Sequence, residues 1–271
     1  MKQDIGSSFE RQALKDAAGD TFHVSVLRRT EGWSEHAVVL LPAIAGVNPY
    51  IEEVALQLSN EGYDVVVMDY FSRVGTPPDL STHEKIGEAV QALDDRRVLQ
   101  EVDVVIGWLA MAGIDRSHVG VLGFCIGGTY AVLSCESSNT PGCAVAYYGQ
   151  LAYSKKTTQK PRDPVDAAEH LRAPVLGHFG TKDRLIGAPE INDFSERLWA
   201  TGLAHEVHTY AGAPHAFDEW FRPMVFRPVA SAEAWERTRI FLDWHLRQRT
   251  VRRALSYLSS STLETNHVQK S

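Results

Sequence analysis

Three observations in the amino-acid sequence predict an α/β domain with a mostly parallel central sheet and helices on both faces. Short, mostly unbroken apolar runs recur along the chain, as strands covered on both sides require: Ala37 to Leu41, Tyr63 to Met68, Val119 to Leu122, Cys143 to Tyr148 and Pro174 to Phe179. Segments with helical apolar spacing separate these runs. The runs end in turns rich in glycine, proline and aspartate, and an open α/β sheet collects its functional groups at such strand ends. No large lid domain is expected.

Taken in order, residues 1–20 are polar and lack the apolar stretch of a secretory signal, so they are expected to precede the folded domain. Residues 22–29 alternate apolar and polar and suggest a partly exposed strand. After the run ending at Leu41, Ile51, Val54, Ala55 and Leu58 recur at helical spacing up to the stop signal Asn60-Glu61-Gly62. Tyr70 to Leu80 is a loop, and two helical stretches follow, the second from about Arg96 to Ala112. A polar loop from Leu151 to Pro161 leads through a short helix, Val165 to Leu171, to the strand at Pro174. Helix Ile191 to Ala200, strand Glu206 to Tyr210 and a last helix from about Ala232 to Arg247 complete the alternation. The domain is therefore expected over 21–249, and the polar, serine-rich residues 250–271 as a loosely attached tail.

At 271 residues one α/β domain with a sizeable core is affordable. The net charge of −7 argues against nucleic acid or an anionic membrane surface as partner, because both need a basic face. Three cysteines with no C-x-x-C pair suggest no disulfide framework and a reducing compartment. No apolar stretch reaches the roughly 18 residues of a membrane span. A cytoplasmic monomer or homodimer is the expectation.

The stretch Val121 to Gly128, VLGFCIGG, has the form strand, sharp turn, helix, with Cys125 at the apex. A side chain two positions either side of such an apex would collide with the reversing backbone, and Gly123 and Gly127 remove that collision. The sulfur would project near the N-terminus of the following helix, where partial positive charge favours thiolate. The Ile126 N–H, which opens the helix, can point at a developing oxyanion. The spacing does not give the G-x-G-x-x-G of a dinucleotide phosphate cradle. A buried, inert thiol remains the alternative for Cys125 taken alone.

Later strand ends supply the complement. Pro174 to Phe179 is followed by Gly-Thr-Lys-Asp, delivering Asp183, and Glu206 to Tyr210 by Ala-Gly-Ala-Pro-His, delivering His215. Nucleophile, acid and base in that chain order match the α/β-hydrolases. His215 can carry the Cys125 proton and Asp183 can hold the imidazole in one tautomer. Taken singly, Asp183 reads as a turn or helix-capping carboxylate and His215 as an ordinary loop histidine; three strand ends in the right order argue for the triad. His178, inside an apolar strand, is expected as a satisfied core histidine. His205 and His208 lie three apart and face opposite ways, so they do not share a metal. No metal and no cofactor are expected.

The segments PAIAGVNPYIEEVALQLSNEGYDVVVMDYFSR, GVLGFCIGGTYA, VAYYG, GTKD and AGAPHAF together resemble the dienelactone hydrolase family of cysteine α/β-hydrolases, over roughly residues 20–248. The resemblance implies the α/β-hydrolase fold, Cys125, Asp183 and His215 as triad, and an oxyanion hole from the Ile126 and Ile44 backbone N–H groups. It also makes Arg73, in Y-F-S-R, a candidate contact for a substrate carboxylate, and Tyr147 and Tyr148 candidate pocket residues. Two departures stand out. Ala43 occupies the position of a glutamate that in the family interacts with the thiol, and Glu219 that of an arginine that clamps a substrate carboxylate. Repulsion at Glu219 of about 1 kcal/mol or more, with Phe217, Trp220 and Phe221 nearby, suggests a neutral or aromatic ester or lactone and not dienelactone itself. Thioester cleavage or acyl transfer on the same triad, or a ligand-binding member without turnover, are the alternatives.

Overall fold

The computed structural model describes residues 9–247. Eight strands form a single sheet in the order β1-β2-β4-β3-β5-β6-β7-β8. They are β1 (Glu10–Lys15), β2 (Thr21–Leu27), β3 (Ala37–Leu41), β4 (Asp64–Met68), β5 (Val119–Phe124), β6 (Cys143–Tyr147), β7 (Val175–Gly180) and β8 (Glu206–Tyr210). From β4 through β8 every pairing is parallel, whereas β1 with β2 and β2 with β4 are antiparallel. The helices are α1 (Pro49–Asn60), α2 (His83–Ala92), α3 (Asp95–Met111), α4 (Ile126–Ser134), α5 (Pro164–Ala167), α6 (Ala188–Ala200) and α7 (Pro228–Leu242). This is the α/β-hydrolase architecture, and among the described residues no inserted domain caps the sheet.

The apolar runs become the inner strands for the reason their composition suggests. Every residue of β3, β4, β5, β6 and β7 is buried, so helices cover both faces. α3, α4, α5 and α6 pack one against the next, while α1 and α7 flank a common cleft. α4 is buried along its whole length and runs behind β5 and β6. Its central position makes the turn that feeds it the best-supported point of the molecule.

Two expectations need correction. Residues 10–15 do not precede the fold but form its edge strand, and polarity hid them because an edge strand with one solvated face buries little: only Leu14 is fully covered. The last helix starts at Pro228, four residues before the expected position, because proline is accommodated in a first turn; it ends in a widened turn, Asp243–Arg247. The tail expected at 250–271 lies outside the described residues. No described helix is long and apolar enough to cross a membrane.

Candidate active site

β5 ends at Phe124 and α4 starts at Ile126, so Cys125 alone reverses the chain. Its backbone has φ 54° and ψ −121°, a conformation that side-chain-bearing residues rarely adopt. A Cβ on Gly123 would stand 2.0 Å from the Gly127 carbonyl oxygen, and one on Gly127 would stand 2.2 Å from that of Leu41. Both glycines are thus required where the sequence predicts them. The same close approach draws the loop after β3, which carries Ala43 and Ile44, against the first turn of α4. Ile126 opens that helix, so its N–H has no acceptor within it. The Cys125 thiol is half-buried and free, and its N–H is donated to the Tyr147 carbonyl at 3.0 Å.

The loops after β7 and β8 are clasped to each other. Thr181 N–H is donated to the Tyr210 carbonyl at 3.0 Å and Lys182 N–H to that of Ala213 at 2.9 Å. The clasp sets the fully buried carboxylate of Asp183 against His215, whose Nδ1 donates to Asp183 Oδ2 at 2.8 Å. Asp183 Oδ1 accepts the Leu185 N–H at 2.8 Å, so both oxygens have fixed partners. His215 Nε2 is buried without a hydrogen bond of its own, and the Cys125 side chain is close enough to act on it. Burial alone would lower the His215 pKa, but the Cys125 and Asp183 charges outweigh it and raise it to about 10.

Backbone strain is concentrated here. Among the described residues, the non-glycine positions with positive φ are Cys125 at 54°, Tyr148 at 41° and Ala216 at 61°. Each adjoins or belongs to the cluster: Cys125 is its thiol, Tyr148 packs edge-on against the His215 ring at 5.1 Å, and Ala216 follows His215. Such conformations cost roughly 1–3 kcal/mol each and persist where the surroundings over-determine them.

The other expected pocket residues separate by position. Tyr147 and Tyr148 are consecutive, and their rings stand edge-on to each other at 6.1 Å. Tyr147 is fully buried, its hydroxyl 2.8 Å from Thr238 Oγ1 on α7 and its ring packed on His178, which makes it a core residue and corrects its reading as a substrate contact. His178 is satisfied as expected, by the Tyr210 and Thr238 hydroxyls at 2.8 and 3.0 Å. Phe217 is likewise fully buried, packed against Tyr147, Tyr148 and Tyr210. Trp220 is half exposed on the same loop.

Arg73 also differs from its expected role. Its Nη2 and Nε donate to Asp16 Oδ2 and Glu101 Oε1, each at 2.7 Å, and Nη1 lies 3.8 Å from Asp20. With every nitrogen facing a carboxylate, Arg73 pins the β1–β2 turn to α3 and is not free to hold a substrate carboxylate. Glu219 does not leave a bare negative charge at the rim either, because its Oε2 accepts from Arg222 Nη1 at 2.7 Å. The repulsion expected from Glu219 alone therefore does not follow.

A group invisible in the sequence lies behind Tyr148. The buried Asp218 carboxylate accepts from the Tyr50 hydroxyl, from Ser231 Oγ at 2.5 Å and from Trp235 Nε1 at 3.1 Å. Burial raises its pKa, and the three donors work against that rise. This cluster joins α1 and α7 to the loop after His215. The chain from Phe217 to Arg227 closes on itself through the Arg227 N–H, donated to the Phe217 carbonyl at 2.9 Å. A cleft of about 160 Å³ between these parts is lined by Tyr50, Val54, Asp218, Trp220, Phe226 and Trp235 among others. Neither Cys125 nor His215 lines it.

Comparison with known proteins accords with this geometry. The family model of the dienelactone hydrolase family matches residues 24–246. A Bradyrhizobium protein assigned as a 2-oxo-3-(5-oxofuran-2-ylidene)propanoate lactonase is 42% identical over 213 residues, which span 78% of this chain and 84% of its own. The carboxymethylenebutenolidase of Rhodococcus opacus is 32% identical over 215 residues, 79% of this chain and 82% of its own. A crystal structure from Klebsiella pneumoniae, assigned as a dienelactone hydrolase, superposes with a TM-score of 0.77 at 27% identity, covering 87% of this chain and 98% of that one.

Proposed function

Because the chain belongs to the dienelactone hydrolase family, we propose that it hydrolyses a small ester or lactone through an acyl-enzyme on Cys125, with His215 carrying the proton and Asp183 orienting it. The observation that supports this best is the held imidazole: Nδ1 fixed on Asp183, Nε2 buried with no other hydrogen bond and under the influence of the Cys125 sulfur. Catalytic hydrogen bonds of this kind often tighten only with substrate in place.

In the proposed reaction the Cys125 thiolate attacks the acyl carbon, forming the S–C bond, and the carbonyl electron pair moves onto oxygen. The Ile44 and Ile126 amides receive that oxyanion. Collapse breaks the bond to the leaving oxygen, which takes the proton from His215 Nε2. Water, giving a proton to His215, then attacks the thioester and releases the acid, restoring thiolate and imidazolium. The relatives named above carry the names of lactonases acting on furanone and butenolide rings, and an unsaturated lactone of that size is the proposed substrate class. The Glu219–Arg222 pair leaves its part of the rim without net charge, so no preference between neutral and carboxylate-bearing lactones is built on it.

Brief mixing with p-nitrophenyl acetate followed by peptide mass spectrometry tests the reading. An acetyl adduct on Cys125 that forms and decays on the time scale of turnover is expected; hydrolysis with Cys125 unmodified at every time point would overturn it. The pH dependence supplies a second check. The raised His215 pKa means the imidazolium persists at neutral pH and is lost only as pH rises through about 10. The alkaline limb of kcat/KM is expected there, and a limb near the ordinary imidazole value of about 6.5 would show that the pair does not form.

A further inference from the structure

Tyr148 presents an anomaly that the triad does not absorb. Its side chain is fully buried, yet its hydroxyl has no hydrogen-bond partner among the described residues. Buried polar groups are nearly always satisfied, and one left open costs stability unless something visits it. The backbone at Tyr148 is held at φ 41°, a conformation that persists only where the surroundings over-determine it. The ring packs edge-on to His215 at 5.1 Å, and the Cys125 sulfur is near enough to act on the hydroxyl. The Tyr50 hydroxyl is near enough to act on it as well, but its proton goes to Asp218 and no hydrogen bond joins the two hydroxyls. The open hydroxyl thus belongs to a residue packed directly against the His215 ring.

We propose that the Tyr148 hydroxyl donates a hydrogen bond to the leaving oxygen of the substrate, the ring oxygen of a lactone, as its bond to the acyl carbon breaks. The inference rests on the acyl-enzyme reading above. In this step the S–C bond has formed, the C–O electron pair moves onto the leaving oxygen, and that oxygen takes its proton from His215 Nε2. Tyr148 keeps its own proton. Burial, then the Asp218 and Glu219 carboxylates, push the phenol well above its ordinary pKa, so it acts as a donor and not as an acid. The leaving oxygen is the acceptor the buried hydroxyl lacks in the resting enzyme, so the interaction strengthens as charge develops. Tyr148 would therefore serve substrates whose leaving oxygen is a poor one.

The test compares Tyr148→Phe with the parent enzyme on acetate esters that share one acyl group: p-nitrophenyl, phenyl and trifluoroethyl acetate. For p-nitrophenyl acetate, whose leaving group needs little help, kcat/KM is expected within about twofold of the parent. For trifluoroethyl acetate a loss of about tenfold or more is expected, with phenyl acetate between. Because the hydroxyl has no resting partner, the variant is also expected to melt at or above the parent temperature. An equal loss on all three esters, no loss on any, or a variant that melts several degrees lower or fails to fold would each overturn the proposal. Failure of the parent reading is separate: it would appear as absence of the Cys125 acetyl adduct in the unmodified enzyme.

Discussion

Alanine in place of Cys125 is expected to lower kcat/KM for p-nitrophenyl acetate by about 10³-fold or more. The thiol is the nucleophile of the proposed reaction, and what remains after its loss is binding and oxyanion stabilisation alone. The change is clean on structural grounds, because alanine meets the same strain at φ 54° that cysteine does and the side chain is only half-buried. The melting temperature should therefore stay close to that of the parent. Alanine at His215 is expected to cost a comparable factor, and the double variant little more than either single one, because the two residues act as a unit. Steady-state rates for the three variants check this; losses that multiply would mean that Cys125 and His215 work independently.

The largest effect on stability is expected at a buried ion pair outside the proposed triad. Lys160 is fully buried, with Nζ 2.5 Å from Asp95 Oδ1 and 2.9 Å from the Tyr130 hydroxyl, and it lies over the Tyr130 and Tyr153 rings. Burial pulls the lysine pKa down and the aspartate pKa up, so each ion depends on the other for its charge. Lys160→Met leaves the Asp95 carboxylate buried without its cation, and a loss of about 3–5 kcal/mol is expected. Pairing it with Asp95→Leu removes the stranded charge and should recover most of that loss, since an apolar pair of similar volume is often no worse than a buried ion pair. Urea denaturation of the single and double variants measures both. A double variant as unstable as the single one would show that packing of the lysine stem, and not the stranded charge, carries the effect.

What the sequence disclosed and what it concealed divide along physical lines. Gly123, Cys125 and Gly127 were legible because a strand-to-helix reversal imposes its demands within a few residues, and Asp183 and His215 because strand ends in an open sheet share one edge. Tyr50 and Asp218 were not, since the bond between them joins residues 168 positions apart and neither has a local pattern that anticipates it. Lys160 looked like part of a solvated loop, because nothing nearby in sequence signals the Asp95 carboxylate waiting for it. Arg73 matched a motif in type and place, yet its neighbours Asp16 and Glu101, contributed by the β1–β2 turn and by α3, take up its donors. Tyr148 differs again: its place at a strand end was legible, but its positive φ and open hydroxyl are properties of the packed state only.

The loop that closes on itself through Phe217 and Arg227 has a bearing on how such a molecule changes over generations. Its ends are tied together, His215 lies before it and α7 begins just beyond it, so residues 219–226 form a cassette whose length and composition can vary without moving the imidazole. Trp220 and the Glu219–Arg222 pair lie on that cassette, while the thiol, imidazole and carboxylate lie outside it. Insertions, deletions or transplanted segments there would reshape the cleft that Trp220 and Phe226 line while Cys125, Asp183 and His215 are inherited unaltered.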